Sequence, residues 1–423
     1  MMTGMRKYNE YKDCGVNWIG KIPKHWDLRK MKYTFVERSE KNHPEEPVLC
    51  ATQSQGVIPQ ALYENRVVVV NKGYENLKFV KVGDFVISLR SFQGGIEYAH
   101  YQGIISSAYT ILIPSDYIQK DYARFLFKSH DFIQLLKTCV TGIREGQNIN
   151  YDVLRKKFIP IPPIDEQKAI ARFLDGKNFE INDLISKTER EIELLKELKQ
   201  SVVAHAVTKG LNPNAKMKDS GVGWIGEIPE HWVFLRNKNI FSGHYEEVGN
   251  RTDIPLLSLT TEGVIYRDTS TGKGKFPKDF EKYNVVYPDC IIFCLFDIDE
   301  TPRTVGLCHN YGMITNAYDA FRINQNVLPR YITYYYLAVD NVKGLRPWYT
   351  GLRKVVQYNR FLQLKVPVPP LSEQQEIVEY IDYKTTQIDK MIVELTYKVE
   401  YLKQYKQRLI ADVVTGKINV QPE

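Results

Sequence analysis

The stretch DCGVNWIGKIPKHW at Asp13–Trp26 returns as DSGVGWIGEIPEHW at Asp219–Trp232, with ten of fourteen positions identical and an offset of 206. Short-period self-similarity builds solenoids and propellers. One recurrence at half the chain length instead demands two units of about 200 residues on one plan. The repeat continues past the opening phrase. FIPIPPIDEQKAI (Phe158–Ile170) is answered by KVPVPPLSEQQEI (Lys365–Ile377), and VVAHAVTKG (Val202–Gly210) by LIADVVTGK (Leu409–Lys417), both at an offset of 207. Each half therefore runs from a Trp-rich phrase, through a middle of about 130 residues, to a PxPPxxEQ turn and a helix of about 40 residues.

The helix is the firmest element. Pro162 and Pro163 cannot lie inside it, Asp165 and its counterpart Ser372 are the N-cap candidates, and Glu166 and Glu373 fall in the first turn, where negative charge suits the dipole. Apolar residues recur in heptads: Ile181, Thr188, Leu195 and Val202, flanked by Ile185 and Ile192, match Ile388, Leu395, Leu402 and Leu409, flanked by Ile392 and Val399. Leu184 and Leu198 also match Met391 and Tyr405. Two such seams are best satisfied by packing on each other. Direction is not read from the pattern itself, but an antiparallel pair, each helix about 60 Å long, avoids long connections.

The middles read as short strands between turns: ENRVVVVNKG, KFVKVGDFVISLRS and GIISSAYTILIP, then NVVYPDCIIFCLF and MITNAYDAFRI. Each also holds a helical candidate, Ile118–Val140 and Pro329–Val342, so each is an α+β globule. The two middles align in framework only, as at Ser54–Ile58 with Thr261–Ile265, Ser107–Tyr109 with Asn316–Tyr318, and Thr141–Arg144 with Thr350–Arg353.

Composition narrows the class. A chain of 423 residues, 43% hydrophobic and 25% charged, is globular and too long for one ordinary core. No apolar run approaches the roughly 20 residues of a membrane span. The opening residues lack the apolar core of a secretory signal, so the cytoplasm is the expected compartment. The net charge of +7 is compatible with nucleic acid without establishing it. Six cysteines have no matched set in the two halves, and Cys290 and Cys294 sit in an apolar run. Buried thiols are expected there; zinc would need further ligands beside Cys308 and His309.

At WIGxIPxHW (Trp18–Trp26, Trp224–Trp232), VGDFVIS (Val82–Ser88, weaker at Tyr287–Phe293), TGxR (Thr141–Arg144, Thr350–Arg353) and PxPPxxEQxxI, all in order and in duplicate, the chain resembles the DNA-specificity (S) subunits of type I restriction–modification enzymes. The resemblance spans nearly the whole length. It implies two similar α/β-mixed target-recognition domains separated by a pair of long antiparallel coiled-coil helices, in a pseudo-two-fold internal repeat. On that plan residues 1–160 form the first recognition domain, 161–210 the first spacer helix, 211–367 the second domain and 368–423 the second helix. It further implies a subunit without catalysis that reads a bipartite double-stranded DNA site, the helices acting as a ruler for the unread spacer. Its implied partners are two methylation (M) subunits, which carry S-adenosylmethionine, and two restriction (R) subunits. No cofactor, metal ligand or membrane is expected for this chain.

Base edges are read by Arg, Lys, Asn or Gln, and phosphates by any basic or amide donor. The turn Arg90-Ser91-Phe-Gln93-Gly-Gly95 leaves the VGDFVIS strand. Arg90 suits guanine and Gln93 adenine, with Gly94–Gly95 allowing close approach; a solvent-exposed hairpin turn is the alternative. The matching place in the second half is Phe296–Thr304, with Arg303 and Thr304 as its polar candidates. Gln55, within Thr52–Gln55, and the loop Thr260–Glu262 come second. Arg144 and Arg353 recur in one context, with Gln147 and Asn148 following the first. A repeated Arg suits the repeated phosphate backbone; an ion pair with a nearby carboxylate is the other reading. Tyr109 and Tyr318 hold matched places, either at a binding boundary or in the core.

Catalytic signatures are missing from the sequence. There is no (Asn/Asp)-Pro-Pro-(Tyr/Phe) motif and no nucleotide loop, Thr271–Lys275 lacking the spacing to cradle phosphate. His25 and His231 read as packed corners before they read as a catalytic pair. Three alternatives to a type I recognition subunit stay open: a coiled-coil assembly scaffold, the specificity subunit of a methylation-only or related gapped-site modification system, and a stand-alone methyltransferase or nuclease.

Overall fold

The computed structural model describes residues 6–63, 73–141, 148–267 and 280–421. They divide into two compact units, Met1–Glu189 with Tyr397–Glu423, and Arg190–Thr396. The long helices span Ile164–Lys209, 46 residues, and Leu371–Val414, 44 residues. Their first bonds run from the Gln167 amide to Pro163 O (2.9 Å) and from the Gln374 amide to Pro370 O (3.0 Å). The second proline of each pair is thus the helix entry, and Asp165 and Ser372 lie inside the first turn. Asp165 caps nothing and instead takes Lys168 at 3.2 Å. Both helices stop before a left-handed glycine, Gly210 at φ +71° and Gly416 at φ +77°. The second is two residues shorter: its glycine comes one place earlier, VTGK against VTKG, and the helix ends two residues before it instead of one.

Within each unit the two helix segments run antiparallel. In the first unit Glu189 pairs with Lys403 at 3.0 Å and Asn182 with Lys406 at 2.8 Å, so one helix descends as the other rises. In the second, Lys199 pairs with Asp389 at 2.7 Å. The heptad strip buries Ile181, Ile185, Thr188, Val399 and Leu409 in the first unit, and Ile192 and Ile388 in the second. Leu184, Leu198 and Met391 are left exposed, so the seam is the narrow strip and not the wider face. Lys199 and Lys406 interrupt its flank at equivalent positions and pair with the exposed Asp389 and Asn182, which are also equivalent. Polar residues in such a seam cost stability and fix register. Burial pushes the Lys406 ammonium below its usual range.

Each unit carries the same four-stranded antiparallel sheet. Its order is Phe35–Arg38, Thr110–Pro114, Phe85–Ile87, Glu97–Tyr98 in the first unit and Phe241–Gly243, Asp319–Ile323, Ile291–Phe293, Val305–Leu307 in the second. The inner strands Phe85–Ile87 and Ile291–Phe293 are three-residue apolar runs because both faces are covered. Ile291 and Phe293 join the cluster of helix Pro329–Asn341, whereas Ile292 joins that of hairpin Leu257–Thr260/Gly263–Tyr266. The expected helix Ile118–Val140 is two helices, Lys120–Lys128 and His130–Lys137, broken by an extended Ser129. ENRVVVVNKG falls almost wholly outside the described residues.

The repeated phrase is a socket for helix ends. Asp13 and Asp219 each accept the amide two residues on at 2.9 Å, closing a turn that places Trp26 and Trp232 fully inside. Glu166 then takes His25 at 2.9 Å and the Tyr8 hydroxyl. Glu373 takes His231 at 2.8 Å and the Trp232 indole N–H at 3.1 Å. The next residue, Gln167 or Gln374, is wholly buried and accepts the amide that starts helix Lys120–Lys128 or Pro329–Asn341, from Gln119 (2.7 Å) or Leu328 (2.8 Å). Tyr122 lies 3.0 Å from Val414 O and Tyr331 3.4 Å from Val207 O, so the other long helix ends in the same corner.

Gly416 and Gly351 share a positive φ, +77° and +78°, but not their surroundings. A Cβ at Gly351 meets nothing within 4 Å, whereas one at Gly416 overlaps Pro23 and comes 3.1 Å from Trp26. Alanine at either costs about 1–2 kcal/mol for the left-handed backbone, and Gly416→Ala adds about 1–3 kcal/mol of overpacking. Chemical denaturation should give Gly416→Ala the lower midpoint; equal losses would deny the glycine its packing role.

Candidate nucleic-acid interface

In the first unit the polar turns converge. Arg90 and Gln93 are exposed on a short helix, Ser91–Gly94, that follows strand Phe85–Ile87. Gln55 is exposed in the turn of hairpin Leu49–Thr52/Gly56–Pro59, where the Thr52 hydroxyl takes the Gln55 amide at 3.0 Å. Lys128 joins the two turns, donating to Gly94 O at 2.8 Å and Gln53 O at 3.2 Å. Asn148 is exposed on a ribbon, Val140–Thr141/Asn148–Ile149, that lies beside the short helix. Arg144 and Gln147 lie outside the described residues.

Two expectations change here. Ser91 is buried, its Oγ accepting the Ser88 amide at 2.8 Å, so it closes the turn and does not face outward. Gly94 and Gly95 serve close approach within the protein itself: a Cβ on Gly94 would lie 2.8 Å from Gln53, and one on Gly95 would overlap Phe127 O.

The second unit fixes its turns differently. Arg303 is half-buried and donates to Thr261 O at 3.1 Å, holding the hairpin turn that matches Gln53–Gln55. Thr304 is buried just before strand Val305–Leu307, its amide bonded to Asp340 at 2.9 Å, so it is not an outward reader. Arg353 stands on a tight hairpin closed by Thr350 and Val355, whose amides exchange bonds at 3.0 and 3.1 Å. Its guanidinium lies 5.4 Å above Phe296 and 3.4 Å from Asp297, yet stays 72% exposed. The ion-pair reading and the outward reading therefore coexist, since an exposed pair at that distance is weak. Phe296 in turn stacks on Tyr318 at 6.0 Å, which gives that half-buried tyrosine a buttressing place. Tyr109 packs half-buried on its own cluster, and burial raises both phenols.

The hairpin base is tied by charge. Asp299 takes Arg346 at 2.7 Å and Lys354 at 3.1 Å, and bonds from Arg346, then Lys354, hold its carboxyl down at about 2. Leu352, at the tip, is wholly exposed. Leu352, Lys128 and Glu97 are marked by no motif in the sequence. A Glu between Ile96 and Tyr98 in a strand was the available signal for the last.

Among the described residues, no group of three His, Cys, Asp or Glu is placed to hold a metal ion, and no helix is long and apolar enough to cross a membrane. All six cysteines are free, and burial raises the Cys308 thiol to about 11. His25 and His231 are occupied at the helix sockets.

The chain is similar to known proteins in sequence and in fold. The chain is 24% identical to the putative type I restriction enzyme MjaX specificity subunit of Methanocaldococcus jannaschii, covering 95% of this chain and 96% of that one. It is 21% identical to the EcoKI specificity subunit of Escherichia coli K12, covering 68% and 64%. Its fold matches a chain solved in a study of type I R-M complex assembly and conformational transition, with TM-score 0.67, 13% identity and coverage of 93% and 98%. It also matches the HsdS subunit of Thermoanaerobacter tengcongensis, with TM-score 0.54, 14% identity and coverage of 94% and 98%. The model of the type I restriction modification DNA specificity domain matches residues 20–194 and 309–398, more than half of the chain, and the chain belongs to that family.

Proposed function

We propose that this chain is the DNA-recognition subunit of a type I restriction–modification complex, reading one half of a bipartite double-stranded site with each unit. The observation that carries the reading is a duplicated scaffold with unlike turns. Sheet order and helix socket are the same in both units, while Arg90, Gln93, Gln55 and Asn148 have no like residues at the matching turns, where Arg303 and Thr261 stand. A reader of two different half-sites needs that division, because phosphate contacts position and base contacts specify. Relatives from Methanocaldococcus jannaschii and Escherichia coli that carry the specificity-subunit name support it.

On this reading the chain catalyses nothing and binds no cofactor. S-adenosylmethionine belongs to two M subunits, cleavage to two R subunits, and the complex works in the cytoplasm. Aromatic side chains exposed on the long helices, Phe179 and Tyr397 in the first unit and Tyr383 in the second, are surfaces for docking those partners. The paired helices set the length of the unread spacer. Arg90 and Gln93 address bases, with Gln55 and Asn148 beside them, whereas Arg353 addresses phosphate, as does Arg144. Ser91 and Thr304 hold the turns.

The chain with its M subunits, bound to random-sequence DNA and followed by enrichment sequencing, should select a gapped two-part motif. Absence of any motif would leave an assembly scaffold as the better reading. Arg353→Ala should lower the salt slope of binding by about one unit at unchanged preference. Arg90→Ala should instead cost about 1–3 kcal/mol at one base position. Inserting one heptad at paired positions in both helices keeps the seam and adds about 10 Å to each. The selected spacer should lengthen while both half-sites stay the same; altered half-sites would refute the ruler.

A further inference from the structure

Lys128 ends helix Lys120–Lys128 in the first unit, where a basic residue near DNA would ordinarily face phosphate. Its ammonium points inward. It lies 2.7 Å from both carboxylate oxygens of Glu97, 2.8 Å from Gly94 O and 3.2 Å from Gln53 O. An ammonium has three donors, so these acceptors use it fully. The Glu97 side chain is only 2% exposed and sits on the sheet strand paired to Phe85–Ile87. The two carbonyls belong to different turns, one carrying Gln55 and the other Arg90 and Gln93.

The second unit reaches the same closure without this pair. Gly306 pairs with Ile292 as Glu97 pairs with Val86, so it holds the Glu97 place. A Cβ there would lie 2.6 Å from Leu259 and 2.9 Å from Val264, which leaves no room for a carboxylate. The hairpin closes directly on the strand, and Arg303 supplies the bond to its turn.

We infer that Lys128 and Glu97 are positioning residues that set the sequence preference of one half-site only, by locking the Gln53–Gln55 turn to the Arg90–Gly95 turn. The inference rests on the proposed DNA-reading function. The pair is half-buried, with Glu97 inside and Lys128 30% exposed, and an ion pair so placed adds little net stability, so position is what it supplies here. Apolar neighbours cannot replace it, since two backbone carbonyls would lose their donor.

The pair also carries a pH signature. Burial, opposed by Lys128, holds the Glu97 carboxyl up at about 7. Above that value the carboxylate is charged and grips the ammonium; as pH falls through it, Glu97 takes a proton and the grip weakens. Lys128 is the charged group facing Glu97, and its strand partner Val86 is apolar.

The test is enrichment sequencing with the M-bound chain at about pH 8 and about pH 6, for wild type, Lys128→Met, Lys128→Arg and Glu97→Gln. Lys128→Met should relax preference in one half by about tenfold and leave the other half unchanged, while Lys128→Arg, still able to fork onto the carboxylate, keeps it. Wild type should relax in that same half at the lower pH, and Glu97→Gln should be relaxed at both. Thermal melting reports folding; if Lys128→Met does not fold, the isosteric Glu97→Gln decides. If wild type selects no two-part motif, the clamp falls together with the reading beneath it. A wild-type motif kept unchanged in both halves by the variants, at both pH values, overturns the clamp alone.

Discussion

A carboxylate at the first turn of each long helix, buried in Glu166 and partly buried in Glu373, governs the rest of the structure. Glu166 and Glu373 sit where free amides and the helix dipole favour negative charge, and each is engaged by a histidine of the repeated phrase. Charge-assisted bonds of this kind are strong and directional. The neighbouring glutamine grips the start of helix Lys120–Lys128 or Pro329–Asn341, and a buried tyrosine of that helix meets the end of the other long helix. One corner thus orients phrase, sheet and both rods of a unit. The small difference between the corners is a matter of donors. Trp232 reaches Glu373, whereas in the first unit the Tyr8 hydroxyl takes that place and the Trp26 indole N–H has no partner among the described residues.

That corner explains which residues repeat. Glu166, Gln167, Gln374, Tyr122 and Tyr331 are buried, and a buried polar group that loses its partner stays desolvated. The phrase, the Glu-Gln pair and the tyrosine are therefore written twice in nearly the same letters. The turns at the far edge of the sheet carry no such obligation. They need only to be held in place, and the two units hold them by unlike means, a lysine ion pair in one and an arginine on a bare carbonyl in the other.

Much of this was legible in the letters. Proline pairs, heptads and left-handed glycines have local causes, so the long helices and their antiparallel pairing within each unit follow from pattern and connection length. Three-residue strands such as FVI and IIF were visible as apolar runs. What escaped was decided at long range. Ser91 and Thr304 look like outward polar residues until their turns fold over them, and Asp165 looks like a cap until Pro163 takes the helix entry. The Gly94–Gly95 step reads as room for a ligand, yet the protein fills it with Gln53 and Phe127. Lys128 and Glu97 stand 31 residues apart, a spacing that no periodicity announces.

The two units also differ in how the polypeptide supplies them. The second is one continuous stretch, Arg190–Thr396, whereas the first needs Tyr397–Glu423 as well. Tyr122 meets Val414 across 292 residues, and Gly416 lies against Pro23 and Trp26. On a ribosome the earlier-made half must therefore wait, its tryptophan socket open, while the later-made half already has all its parts. The socket of the first unit is thus closed by chain that follows the whole of the second.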